Sequence, residues 1–119
     1  WDDTFFKTKM INVYKGPEFD QLSKIQIEQL FSSDFTVSKN NNRMAYQLEE
    51  IVENKLEPIL TSLVMPGTVQ LTPAGNLIIL MRDCQTTGGY PRIFQLEEKS
   101  MDVLAQKYMG QKIIFHLLT

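Results

Sequence analysis

A single cysteine, Cys84, stands among 119 residues, so no disulfide can form within the chain. Small secreted domains commonly lean on disulfides, and a chain without one fits a reducing compartment. One histidine, His116, is present, and no cysteine–histidine set has the spacing of metal ligands. Neither HExxH nor GxSxG occurs, which removes zinc-protease and α/β-hydrolase chemistry from consideration. GxxxxGK is missing too, so the chain has no phosphate loop with which to hydrolyse ATP unaided. The longest apolar runs, such as Leu77 to Met81, fall far short of the ~20 residues that span a bilayer. Basic residues number 12 against 14 acidic, a net charge of −2, and no basic run tracks a phosphate backbone. Nucleic acid and anionic membranes are therefore not expected partners. No charged segment followed by an apolar one opens the chain, so no signal peptide is read, and a cytoplasmic location is expected.

What is present is the composition of an ordinary globule, 43% apolar and 22% charged. A chain this long buries roughly two-thirds of its unfolded surface, enough for one core, and a single domain over residues 1–119 is expected. The opening Trp1-Asp2-Asp3-Thr4-Phe5-Phe6 carries no initiator Met and reads as the interior of a longer protein.

Lys9 to Tyr14 alternates, with Ile11 and Val13 on one face, and predicts a strand ended by Gly16-Pro17. Ser23 followed by Gln26 forms a capping box, and Ile27, Leu30 and Phe31 share one stripe, which predicts a helix over Lys24 to Ser32. Further strands are read at Phe35 to Ser38, Arg43 to Leu48, Tyr90 to Leu96 and Lys112 to Leu118. Thr68 to Thr72 and Leu77 to Arg82 flank the turn Pro73-Ala74-Gly75-Asn76 and should form a hairpin. Thr86 to Gly89 is read as a loop, and Ser100 as the cap of a second short helix with Val103, Leu104 and Tyr108 inward, stopped at Gly110. The sum is a mainly β chain, a closed or nearly closed barrel with two short helices.

Three segments could carry chemistry. Arg82-Asp83-Cys84-Gln85-Thr86-Thr87-Gly88-Gly89-Tyr90 follows the most apolar strand, and polar groups at a strand end are a common place for a site. Paired glycines let backbone N–H groups converge on an anion, and Gln85 offers both a donor and an acceptor. The plainer reading is a tight loop whose side chains cap its own backbone. Asn40-Asn41-Asn42-Arg43-Met44 suits a turn, and Arg43 either clamps a substrate carboxylate or pairs with a surface acid. Pro66-Gly67-Thr68-Val69-Gln70 makes a sharp entry into a strand with Gln70 as an inward polar residue. His116 reads as a structural histidine, Glu49-Glu50 and Glu97-Glu98 as solvated charges, and Asp83 should raise rather than lower the Cys84 thiol. No metal site is expected.

Asn42-Arg43-Met44, Pro66-Gly67-Thr68-Val69-Gln70 and Gln85-Thr86-Thr87-Gly88-Gly89-Tyr90-Pro91, in that order, resemble the signature of the allophanate hydrolase subunit 2 family. That family is also called biotin-dependent carboxyltransferase-like and KipI antagonist, and it includes 5-oxoprolinase component C. Gly16-Pro17 and the stretch from Leu104 to Phe115 resemble it as well. The resemblance implies a cyclophilin-like β-barrel and a longer parent, of which this chain is the C-terminal portion. It implies an allophanate hydrolase subunit 1-like partner (5-oxoprolinase component B, or KipI-like), a lactam-utilisation subunit, and a small lactam or amide as substrate.

In an ATP-dependent 5-oxoprolinase complex opening 5-oxoproline to glutamate, Arg43 and Gln85 would be the catalytic pair. Arg43 would hold a carboxylate or phosphoryl oxygen, while Gln85, Thr86 and the Gly88 and Gly89 amides would orient the lactam. Asn42, Gln70, Thr87 and Tyr90 complete the implied substrate-binding set. No cofactor would be bound covalently, and ATP would be used by the complex. Carboxyl transfer to urea or another amide is the alternative, with biotin visiting from another domain because no Met-Lys-Met attachment site exists. A non-catalytic regulator binding a kinase inhibitor is the third reading. Asn41-Asn42 stands where the family more often has Ser-Asp, Ala45 and Gln47 where it has glycine and arginine, and Thr61-Ser62-Leu63 where it has Ser-Glu-Gly. These departures weigh against urea as the substrate.

Overall fold

The computed structural model describes residues 10–84 and 87–118. Seven strands close into a barrel: β1 (Met10–Lys15), β2 (Phe35–Asn41), β3 (Ala45–Leu48), β5 (Thr68–Leu71), β6 (Leu77–Leu80), β8 (Arg92–Leu96) and β9 (Lys112–Leu117). Round the barrel the order is β1-β8-β5-β6-β3-β2-β9, and β9 returns to β1 in parallel while the other neighbours run antiparallel. Two further strands, β4 (Ser62–Leu63) and β7 (Thr87–Gly88), pair with each other as a separate ribbon. The helices are α1 (Lys24–Ser32) and α2 (Glu98–Ala105), with a 3-10 turn at Phe19–Gln21.

The alternation read from the sequence is the alternation that builds the core. Ile11, Val13, Val69, Leu71, Ile93 and Ile113 are fully buried. Phe94 centres an aromatic spine, with ring centroids 5.2 Å from Phe115, 5.4 Å from Phe31 and 6.0 Å from Phe19. Leu30 of α1 and Met101 and Leu104 of α2 join the same core. Full burial of such side chains stabilises by about 1.5–3 kcal/mol each, so the barrel interior dominates the folding energy.

Local chemistry sets the element ends. Ser23 Oγ accepts from Gln26 N at 3.2 Å and Gln26 Oε1 accepts from Ser23 N at 2.8 Å, the reciprocal box expected. The 73–76 turn closes with Gly75 at φ 94° and Thr72 N donating to Asn76 O at 3.0 Å.

Four expectations change. Ser100 does not cap α2: Glu97 occupies the cap position, and the buried Ser100 Oγ instead accepts from Asn12 N at 2.8 Å, tying the helix to β1. Tyr108 is exposed, and α2 ends at Ala105, ahead of Gly110. Thr87-Gly88 is extended and paired rather than a loop. Glu50 is no free charge, since its carboxylate accepts from Thr36 N at 2.6 Å and Thr36 Oγ1 at 2.7 Å. Burial pushes the Glu50 carboxyl up, yet the Thr36 hydrogen bonds outweigh it and hold the group below its ordinary value. His116 is exposed on β9. Among the described residues, no helix is long and apolar enough to cross a membrane.

Candidate functional site

The β2–β3 turn and the residues after β6 meet at one end of the barrel. Met81 N donates to Met44 O at 2.9 Å and Asp83 N to Arg43 O at 3.1 Å, so the start of the 82–90 segment is laced to the arginine turn. Asn42 builds that turn, its Oδ1 accepting from Met44 N at 2.8 Å and Ala45 N at 3.1 Å. Arg43 projects from it with its side chain 90% exposed, and its Nε donates to Asp83 Oδ2 at 2.9 Å.

A cleft of about 570 Å³ opens here, lined by Asn42, Arg43, Tyr46, Met81, Arg82, Asp83, Met101 and Ala105. Its floor is apolar, with Tyr46, Met81 and Met101 buried, and its rim carries two guanidinium–carboxylate pairs. The second is Arg82 Nη2 to Asp102 Oδ1 at 3.0 Å. Tyr46 Oη donates to Lys107 O at 3.0 Å, and burial raises its hydroxyl further, so it stays neutral. Burial, and then Asp83, push the Cys84 thiol up, which leaves it a poor nucleophile, as the sequence led one to expect. Such a cleft can take a small molecule with a carboxylate or carbonyl facing the rim and an apolar ring over the floor. Among the described residues, no group of three or more His, Cys, Asp or Glu side chains could hold a metal ion.

The remaining sequence-predicted residues divide. Gly67 sits at the same barrel end: its N donates to Leu80 O at 2.7 Å, its O accepts from Leu96 N at 2.8 Å, and φ is 93°. Gln70 is 2% exposed, but it does not point into the barrel. Its cross-strand partners are Ile78 and Arg92, whereas core-facing Val69 partners Ile79 and Phe94. Gln70 therefore lies on the outer wall, beneath the β4–β7 ribbon. Gly88 rests directly on it, since a Cβ at position 88 would run into Gln70 Nε2 and come within 3.5 Å of Val64 Cγ1. Thr87 and Tyr90 are exposed and Gly89 is half-buried, with Gly89 O accepting from Ile59 N at 2.9 Å. Gln85 and Thr86 lie outside the described residues. The structure thus gathers Asn42 and Arg43 in the cleft, and Gln70, Thr87 and Gly88 on the adjoining wall. A wider open groove of about 720 Å³, between the 3-10 turn and residues 53–56, holds none of them.

Sequence reading missed one feature of the wall. Arg92 and Glu18 form a largely buried fork, Nε to Oε1 at 2.8 Å and Nη2 to Oε2 at 2.9 Å. The pair is 74 positions apart, and the only local hint is that each charge follows a proline closely, Pro17 and Pro91.

Comparison with known proteins agrees with the resemblance carried by the three segments. The chain is 37% identical over 107 residues to 5-oxoprolinase component C of Escherichia coli K12, covering 88% of this chain and 34% of that protein. It is 35% identical over 89 residues to 5-oxoprolinase component C of Haemophilus influenzae, covering 73% and 29%. The chain thus spans about a third of the length of these curated relatives. The fold superposes on the crystal structure of Kluyveromyces lactis urea carboxylase with a TM-score of 0.81 at 21% identity, covering 92% of this chain and 11% of that one. A family model for the carboxyltransferase domain, subdomain A and B, matches residues 2–117, and the chain belongs to that family.

Proposed function

We propose that this chain is part of a subunit of an ATP-dependent 5-oxoprolinase complex, which opens the lactam of 5-oxoproline to glutamate together with a subunit 1-like partner. The observation that carries the reading is the identity, above one third over most of the chain, to two proteins named as component C of 5-oxoprolinase. The cleft supports it, because 5-oxoproline is a small ring bearing one carboxylate and one amide carbonyl. Arg43, exposed and steadied by Asp83, holds the carboxylate or a phosphoryl oxygen. Gln85, Thr86 and the Gly88 and Gly89 amides orient the lactam carbonyl and stabilise the negative charge that develops on it. Asn42 shapes the arginine turn, and Tyr90 walls the ring.

The test is turnover by the complex carrying Arg43→Ala or Gln85→Ala. Each should cut glutamate release by roughly 100-fold or more if it stabilises charge in the transition state. Unchanged turnover in both variants removes the assignment. Membership of a carboxyltransferase family favours a second reading, carboxyl transfer from a biotin carried by another domain. It is separated from the first by whether biotin-dependent carboxylation, rather than glutamate release, needs this protein.

A further inference from the structure

Arg92 does two things at once on the outer wall of the barrel. One edge of its guanidinium is locked to Glu18, through Nε to Oε1 at 2.8 Å and Nη2 to Oε2 at 2.9 Å. Glu18 is itself fixed, since Oε1 also accepts from Arg92 N at 2.9 Å and Glu18 N donates to Arg92 O at 3.0 Å. The remaining arm, Nη1, donates to Leu63 O at 3.1 Å. Leu63 belongs to β4, and β4 holds β7 through two residue pairs, Ser62 with Gly88 and Leu63 with Thr87. A ribbon this short cannot stand unaided. Its position over the wall depends on what grips it from below, and Arg92 grips it.

Gln70 pulls the other way. It faces Arg92 across β5 and β8, and its Nε2 is buried without a hydrogen-bond partner under Gly88. Docking the ribbon takes that donor out of water and gives it nothing in return, which is unfavourable.

We propose that Arg92, oriented by Glu18, is the positioning residue that sets where the 87–90 segment lies over the barrel wall, with Gln70 as the counterweight that keeps the ribbon only just docked. The inference rests on reading the 85–90 segment as part of the substrate site. Arg92 acts through the ribbon and need not touch substrate.

Hydrogen exchange read by mass spectrometry on the complete protein in its complex tests this. Arg92→Lys keeps the positive charge and one bond to Glu18 but cannot reach Leu63 O as well. Peptides covering 60–65 and 87–91 should then exchange on the order of tenfold faster, with those from β5 and β6 unchanged. Gln70→Met, which removes the orphan donor at similar volume, should slow the same ribbon peptides. In the glutamate-release assay Arg92→Lys should raise KM about tenfold while kcat stays within about twofold. Should Arg92→Lys fail to fold, Glu18→Gln carries the same expectation at smaller amplitude. Equal acceleration of ribbon and barrel peptides would make the pair merely structural and overturn the proposal, as would an unmoved ribbon. If the ribbon responds but the wild-type complex releases no glutamate, the positioning role stands and the lactam reading falls.

Discussion

Replacing Gly88 by alanine isolates the contact between the ribbon and the barrel wall. Gly88 has no positive φ, so the backbone admits an L side chain, and the whole cost is the space its methyl needs. That methyl would lie well inside 3.0 Å of Gln70 Nε2, and Gln70, 2% exposed, has nowhere to retreat. Forcing an extra methyl into a packed site costs about 1–3 kcal/mol. At about 4 °C per kcal/mol for a chain of this size, the melting temperature should fall by about 4–12 °C.

The companion change Gln70→Ala vacates the space the methyl requires and removes the buried donor, whose isolation costs about 1–3 kcal/mol. It also leaves a cavity, so alone it should move stability little. Together the two should be less damaging than their sum by at least ~1 kcal/mol, the coupling expected of side chains that compete for one volume. Denaturant unfolding of wild type, both single variants and the double variant closes the cycle. Additivity within ~0.5 kcal/mol would show that the two side chains do not share that space, and would refute the placement of the ribbon over Gln70.

Arg43→Ala should leave the unfolding midpoint within about 1 kcal/mol of wild type, because its ion pair with Asp83 is solvent-exposed. Under the proposed function it should nonetheless abolish most turnover, and a large stability loss would mark Arg43 as structural instead. Gly16→Ala should be far worse, costing about 3 kcal/mol or more in a denaturant titration, since a Cβ there would press on the backbone of Arg92 and Ile93, which cannot swing aside. The Arg92 hydrogen bond holds the Glu18 carboxyl below its ordinary 4.5, against burial, which pushes it up. Its contribution is therefore present above about pH 4.5 and is lost as pH falls through the lower folded value. The stability gap between wild type and Glu18→Gln should accordingly narrow on titration from about pH 7 to about pH 3, and a gap that widens in acid would refute that role.

What the sequence made legible was what short-range chemistry decides. Alternation at Ile11 and Val13, the Ser23–Gln26 box and the Thr72–Asn76 turn each depend on neighbours within a few positions, and each stands as read. The rest depends on partners that only the closed barrel brings together. Ser100 looked like a cap because a serine before an apolar stripe usually is one, yet its partner Asn12 is 88 positions away. Thr87-Gly88 looked like a loop because a two-residue strand has no periodicity, and its partner Ser62-Leu63 has none either. The site followed the same rule. Turn chemistry picked out the arginine turn, the proline-glycine entry and the glycine pair. It could not tell that Arg43 would meet Asp83 in one cleft while Gln70 and Gly88 met on the wall beside it.

The central claim is that this protein serves lactam opening. Its most direct test is ATP-dependent release of glutamate from 5-oxoproline by the reconstituted subunits, assayed with and without the complete protein. Turnover that appears only when the protein is present is the predicted result. Folded, co-purifying subunits that release no glutamate with the protein present, or as much without it, would contradict the claim.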